Sequence, residues 1–215
     1  MLVVYHLARS RSDRLIWLLE EIGLEYRIES FERDLRTQRA PAAMKALHPL
    51  AKSPMLRDGE RLLIESGAIF EYLLSRHRSG GLVPAVEDPD WPEYLQWLHF
   101  AEGSAMLPLV IDHFQTSGLC GPPGRTPLAA RVRAELDRLY AHLESLLATR
   151  PWLAGGRFTA ADVMMGWVIE MIEQRGEIGP YPALARYVEV LRARPAHRRA
   201  RARAMGNEDA RVPDV

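Results

Sequence analysis

Polar residues stand at two points where a predicted strand meets a predicted helix, and each point could bind a charged ligand. Glu65 and Ser66 follow the apolar run RLLI and precede a helix-like segment. A serine there caps the helix, and the free N–H groups of the first turn favour an anion. The adjacent carboxylate could accept a hydrogen bond from an ammonium group. The pair therefore fits either a zwitterionic ligand or a plain helix cap.

Two candidate hydroxyl groups precede the first predicted helix. Tyr5 ends the apolar run LVVY, and Ser10 lies four residues before Arg14. Ser12 is the expected N-cap of this helix, and Ser10 is close enough to its N-terminus for the helix dipole to favour a negative charge beside it. Tyr5 could instead be a core aromatic residue.

The composition excludes several classes of function. Lys and Arg number 28, as do Asp and Glu, so we expect no nucleic-acid partner and no attraction to an acidic membrane surface. Cys120 is the only cysteine, which excludes an internal disulfide or a CxxC pair. His99, Asp112 and His113 lack a ligand spacing, so we expect no metal. No apolar run reaches about 18 residues, and we expect a cytoplasmic protein without a membrane span.

Strand and helix signals alternate over residues 1–78. The runs LVVY and EYRIESF predict strands, and the helix predicted between them from Asp13 to Ile22 ends at Gly23. A short helix is predicted over Ala42–Leu47, and Asp58-Gly59 between two apolar runs predicts a hairpin. The order βαβαββα predicts an α/β domain of the thioredoxin-like kind.

The remainder of the chain is predicted to be helical. Residues 79–92 are rich in Gly and Pro and read as a linker, followed by an all-α domain over residues 93–215. Its first helix is expected to be interrupted near Gly103 and Pro108. Thr159 stands three residues before Asp162, which predicts a capping box. The arginine-rich segment 192–203 reads as a solvated helix end.

These motifs together resemble those of a cytosolic glutathione transferase. The resemblance rests on Lys52-Ser53-Pro54 in HPLAKSP, on Glu65-Ser66 eleven residues after the proline, and on the later FTAAD. It covers nearly the whole chain. The segments YHLARSRSDRLIWLLEE and HPLAKSP are most similar to bacterial and fungal members of the theta-related, serine-type group.

The resemblance implies that glutathione is a co-substrate bound by the first domain. Pro54 is then a cis proline, and the main chain of Ser53 holds the cysteinyl part. Glu65 accepts the α-ammonium of the γ-glutamyl group, whose carboxylate lies at Ser66. Lys52 contacts the glycyl carboxylate, although a solvated loop charge is an equal alternative.

The resemblance also implies that glutathione supplies the thiol and the protein stabilises its thiolate. Ser10 matches the serine of theta-type members, and Tyr5 matches the tyrosine of alpha, mu and pi members. We prefer Ser10 because it lies nearer the N-terminus of the helix. Cys120 lies far from the position of a cysteine-type member, which argues against glutaredoxin-like chemistry by a protein thiolate.

The second substrate is expected to be a small apolar electrophile. Its pocket should lie between the loop after the first strand and the interrupted helix, and its predicted lining residues are Leu7, Ala8, Phe100, Ser104, Met106 and Leu107. The family also implies a homodimer.

Two alternatives to conjugation remain open at this point. The chain could be a non-catalytic binding or regulatory module of the same fold. It could also be a glutathione-dependent isomerase or dehalogenase, which would share the first domain and differ in the helical pocket.

Overall fold

The computed structural model describes residues 1–34, 36–77, 81–118 and 126–206. The chain forms two compact units. The first comprises Met1–Val83 with the chain from Leu191 onward, and the second is Pro84–Val190. Cys120 and the start of the predicted linker lie outside the described residues. None of the helices within these ranges has both the length and the apolar character needed to cross a membrane.

The first unit contains a four-stranded mixed sheet in the order β2-β1-β3-β4. Its strands are β1 Leu2–Leu7, β2 Tyr26–Phe31, β3 Met55–Asp58 and β4 Arg61–Ile64. β1 runs parallel to β2 and antiparallel to β3. All six residues of β1 are buried, as expected for an apolar strand with a neighbour on each side.

Two helices connect these strands and a third follows β4, which confirms the order βαβαββα. They are α1 Ser12–Ile22, α2 Ala42–Leu47 and α3 Ser66–Arg76. The helix α1 ends at Gly23, which has a left-handed φ of 68° that favours glycine. The β3–β4 hairpin turns at Gly59, with a φ of 59°. The end of α1 and the position of the β3–β4 hairpin were therefore predicted correctly from these two glycines.

The second unit is helical. Its helices are α4 Trp91–Phe100, α5 Met106–Thr116, α6 Pro127–Thr149, α7 Ala160–Gln174 and most of α8 Pro182–Arg192. A π-helical turn, Ala101–Ala105, joins α4 to α5. Pro108 lies shortly after this turn and has no N–H to donate back to residue 104, which favours a widened turn at this point. The turn contains Gly103, so the helix is interrupted where the sequence predicted it.

A capping box begins α7, as the FTAAD motif predicted. Asp162 Oδ2 accepts a hydrogen bond from the backbone N–H of Thr159 at 2.7 Å. Its other oxygen accepts from the N–H of Leu153 and the hydroxyl of Tyr187. The carboxylate is fully buried, so it ties the start of α7 to two other parts of the same unit.

The last helix, α9 Pro195–Ala204, packs against α1 in the first unit. Arg199 Nε donates to Glu20 at 2.8 Å, and Arg203 donates to the same carboxylate at 3.1 Å. Arg194 forms two hydrogen bonds with Glu21. The interpretation of this arginine-rich segment as a solvated end was therefore wrong for these three side chains.

Glu20 provides a stability test of the α1–α9 contact. Burial alone would raise the pKa of Glu20, but hydrogen bonds from Arg199, Tyr26 and Arg203 outweigh it and hold the pKa below its usual value. A depressed carboxyl pKa contributes stability above the unfolded pKa and loses it as the pH falls through the folded pKa. We expect Glu20→Gln to reduce the free energy of unfolding by about 1–3 kcal/mol at neutral pH and by less at acid pH.

Denaturant titrations at pH values of about 7 and 3.5 measure this difference. Glu25→Gln is the matched control, because Glu25 is exposed just after α1. An equal loss in the two variants, or a loss for Glu20→Gln that is unchanged at acid pH, would contradict the expectation.

Candidate functional site

Ser10 lies in the loop between β1 and α1, close to the loop that carries Ser53. Its Oγ donates a hydrogen bond to Ser53 Oγ at 2.9 Å. The Ser53–Pro54 peptide bond is cis. Ser10 is 5% exposed, and its carbonyl accepts from the N–H of Asp13 in the first turn of α1. Two of the predicted site residues, 43 positions apart in sequence, are thus brought into direct contact.

Ser12 and His6 extend this contact into the protein interior. Ser12 Oγ lies 2.9 Å from Ser10 Oγ and 2.7 Å from Nδ1 of His6. The expectation that Ser12 caps α1 was wrong, since Arg11 occupies the N-cap position and Ser12 is the first helical residue. Sequence reasoning did not single out His6. A polar residue within a buried apolar strand was the available signal.

Tyr5 points into a different environment. It belongs to a buried cluster with Val3, Leu7 and Met44 of α2. Its hydroxyl accepts a hydrogen bond from Arg57 Nε at 2.7 Å. The guanidinium of Arg57 also lies 5.6 Å from the centre of the tyrosine ring. The phenol is therefore a packed core group with its own partner on β3.

Glu65 and Ser66 form the junction between β4 and α3. Glu65 is exposed at the N-cap, with a φ of 71° that is unusual for a residue other than glycine. Ser66 is 3% exposed and is the first helical residue, so it stands one position later than the expected cap. Such positive φ values cluster at ligand sites, and the first-turn N–H groups of α3 have no partner within the helix.

Positive charge surrounds the β1–α1 loop. Lys52 is exposed beside Ser53, and Arg9 is exposed with a φ of 54°. Burial lowers the pKa of Arg33, and repulsion by Arg9 and Arg11 lowers it further. These cations favour an anionic ligand or a thiolate near Ser10.

The residues predicted for the electrophile pocket have different environments. Leu7 is buried with Tyr5, and Ala8 pairs with Phe31 through its N–H. Met106 is only 2% exposed. Phe100, Ser104 and Leu107 line a groove of about 480 Å3 in the helical unit, together with residues of α6 such as Leu128, Val132 and His142.

One of the three residues considered as metal ligands and not assigned to a metal site, Asp112, has a partner in the second unit. Asp112 forms an ion pair with Arg175, the residue that follows α7. Within the described ranges, no three His, Cys, Asp or Glu side chains are grouped in a way that could hold a metal ion.

The first unit is thioredoxin-like with a cis proline beside a buried serine, and the second unit is helical with a capping box. Residues 1–75 match the family model "Glutathione S-transferase, N-terminal domain", and residues 126–189 match "Glutathione S-transferase, C-terminal domain". The chain belongs to the glutathione S-transferase family.

Two curated relatives align along nearly their full lengths. Glutathione S-transferase 3 of Schizosaccharomyces pombe is 32% identical, over 100% of this chain and 93% of the relative. Disulfide-bond oxidoreductase YfcG of Escherichia coli is 31% identical, over 97% of this chain and 98% of the relative. A crystal structure of a glutathione S-transferase from Actinobacillus pleuropneumoniae has a TM-score of 0.84 at 28% identity, covering 100% of this chain and 98% of that one.

Proposed function

We propose that this protein is a serine-type glutathione transferase of the theta-related group, in which the Ser10 hydroxyl stabilises the thiolate of bound glutathione. The thiol loses its proton, the sulfur forms a bond to a small apolar electrophile, and the leaving group departs. The observation that carries the proposal is the 2.9 Å hydrogen bond from Ser10 to Ser53 at the cis-proline loop. The cysteinyl part of glutathione, held at Ser53, would place its sulfur beside Ser10.

The environment of Tyr5 supports Ser10 over the tyrosine. The Tyr5 hydroxyl is 2.7 Å from Arg57 and its ring belongs to the core cluster on the α2 side of the sheet. A donor to sulfur must lie within reach of the ligand, and Tyr5 lies in the core cluster whereas Ser10 contacts the loop that would hold the cysteinyl part. Ser10 is also adjacent to the first turn of α1, where the helix dipole favours a negative charge.

The remaining glutathione contacts follow from charge and position. Glu65 binds the α-ammonium group, and Ser66 with the first turn of α3 binds the γ-glutamyl carboxylate. The main chain of Ser53 pairs with the cysteinyl unit, and Lys52 lies near the glycyl carboxylate.

Phe100, Ser104 and Leu107 supply an apolar surface for the electrophile on the helical unit. The functional molecule is a homodimer, as its membership of the family implies.

Calorimetric titration with glutathione, followed by a conjugation assay with a chloronitrobenzene, tests the proposal. Binding and conjugation are both expected. The absence of binding at millimolar glutathione would contradict the proposal and favour a non-catalytic module. Binding without conjugation would lead to assays of isomerisation and dehalogenation.

Thiol–disulfide exchange is a second candidate activity. The Escherichia coli relative named a disulfide-bond oxidoreductase favours it. No protein thiolate is needed if the glutathione thiolate attacks a disulfide directly, forming one S–S bond as another breaks and a thiolate leaves. Parallel assays with a small disulfide and a chloronitrobenzene compare the two electrophile classes.

Glutathione binding is expected to depend strongly on the β4–α3 junction. Glu65→Ala and Ser66→Ala each remove a charge-assisted contact to the γ-glutamyl end, and each should weaken binding by ~1.5–3 kcal/mol. Calorimetry measures the change. Glu60→Ala in the hairpin turn is the matched control, because Glu60 is an exposed carboxylate nearby in sequence. Unchanged affinity in the first two variants would reject this binding mode.

A further inference from the structure

Three hydroxyl groups and one histidine ring form a continuous chain from the candidate glutathione site into the protein. Ser53 Oγ and Ser12 Oγ each lie 2.9 Å from Ser10 Oγ, and Ser12 Oγ lies 2.7 Å from Nδ1 of His6. The exposed fraction falls from 5% at Ser10 to 0% at Ser12 and 1% at His6. The chain therefore leads away from solvent and ends on a group that can hold a proton.

A backbone carbonyl determines which nitrogen of His6 is free. The ring donates a hydrogen bond to the carbonyl of Ala204 in α9. Because Nδ1 faces Ser12, the Ala204 bond uses Nε2. Burial lowers the pKa of His6, opposed by the Ala204 carbonyl and by Glu32, so the ring is neutral at pH 7. A neutral ring with its proton on Nε2 presents a lone pair at Nδ1 to the Ser12 hydroxyl.

We propose that His6 is the terminal acceptor of the glutathione thiol proton, which is relayed through the hydroxyl groups of Ser10 and Ser12. The inference rests on the proposed function. The thiol gives its proton to Ser10 Oγ, Ser10 passes its own proton to Ser12 Oγ, and Ser12 passes its own to Nδ1 of His6. One S–H bond breaks and one N–H bond forms. Both hydroxyl groups end protonated, and no other reactant is consumed.

The end state directs each donor in the chain towards the sulfur. Nδ1–H of His6 donates to Ser12, Ser12 donates to Ser10, and Ser10 donates to the thiolate. Before the transfer each of these hydrogen bonds runs in the opposite direction, so the Ser10 hydrogen, which points at Ser53 in the structure, turns to Ser12 when glutathione is bound. The relay therefore both removes the proton and creates the hydroxyl orientation that stabilises the thiolate.

The surroundings of His6 accept a positive charge once the thiolate has formed. The Asp13 carboxylate on α1 lies 3.6 Å from Nδ1, and Glu32 after β2 contributes a favourable field. The Ala204 carbonyl of α9 retains its hydrogen bond. Asp13 also interacts with Arg33, so its negative charge is shared between Arg33 and the protonated ring of His6. The thiolate and the imidazolium stabilise each other in a site of low exposure.

Histidine NMR on the wild-type protein tests the relay directly. The ring nitrogen shifts of His6 are measured at pH 7 in the free protein, with glutathione, and with S-methylglutathione, which has no thiol proton. The signal is assigned by its loss in His6→Gln. We expect an imidazolium with glutathione and a neutral ring in the other two samples. A neutral His6 beside an ionised glutathione thiol would overturn the relay.

Variants along the chain give a second readout. In His6→Phe and in Ser12→Ala, the ionised fraction of the bound thiol at about pH 6.5 should fall by about tenfold, measured by its ultraviolet absorbance. The double variant should lose no more than Ser12→Ala alone, and Ser12→Thr should retain the wild-type value. His197→Phe is the matched control, because His197 is also buried and packs edge-on against Trp17. Additive losses, or the same loss in the control, would contradict the relay.

The outcome for Ser10→Ala separates this inference from the proposed function. If that variant leaves the pKa of the bound thiol unchanged, both the role of Ser10 and the relay fail. If it raises the thiol pKa while His6 stays neutral in the wild-type complex, only the relay fails.

Discussion

Replacing Ser10 with alanine should raise the pKa of the bound glutathione thiol and reduce kcat/KM by about 10²–10³-fold at about pH 6.5. The variant loses the hydroxyl that donates to the sulfur, so the thiolate is less stable relative to the thiol. At about pH 9 the loss should be smaller, because the thiolate then forms without help. Glutathione affinity should change little, since its charged ends bind elsewhere. Thiolate absorbance and conjugation rates across this pH range measure both effects.

Tyr5→Phe is the control for this experiment. The substitution removes the acceptor of the Arg57 hydrogen bond in the core and should leave the thiol pKa unchanged. If Tyr5→Phe abolishes activity and Ser10→Ala does not, the protein is tyrosine-type. If neither substitution matters, the stabilising donor is a backbone N–H or Arg9, and the proposed mechanism is wrong.

Features with a local sequence cause could be predicted. The hairpin at Gly59 follows from a residue that accepts a left-handed backbone, and the capping box at Thr159 follows from two side chains three positions apart. The bounds of α2 match the prediction, and Pro41 stands at the N-cap position before its first residue. The contact between Ser10 and Ser53 depends on two loops, and only the family resemblance brought these residues together.

Features that depend on distant parts of the chain were not predicted. Arg199 and Glu20 are 179 positions apart, and no local pattern indicates that they pair. Helical spacing identifies the apolar face of α1, but not which later helix its carboxylates will contact. Ser12 looked like a cap because capping needs only local geometry. Its side chain instead bonds to His6, whose ring is positioned in turn by the end of α9.

The largest loss of stability is expected from Asp162. Its carboxylate is fully buried and accepts four hydrogen bonds, from the N–H groups of Leu153 and Thr159 and from the hydroxyls of Thr159 and Tyr187. Burial raises the pKa of Asp162, and these donors oppose that rise. Asp162→Ala leaves all four donors without their acceptor, and each buried donor left unpaired costs about 1–3 kcal/mol.

We therefore expect Asp162→Ala to lower the free energy of unfolding by about 4 kcal/mol or more, and Asp162→Asn by about 3 kcal/mol. Asparagine is less damaging because its carbonyl oxygen can still accept hydrogen bonds from the donors on one side of the site. Its NH2 group cannot accept from the donors on the other side. Denaturant titration measures both values. Asp137→Asn is the matched control, since this carboxylate is 61% exposed on α6 and its pair with Arg133 contributes little. Natural domains have a total free energy of unfolding of only about 5–15 kcal/mol, so the expected losses are a large share of it. A loss below about 1 kcal/mol for Asp162→Asn would show that the capping box does not stabilise α7.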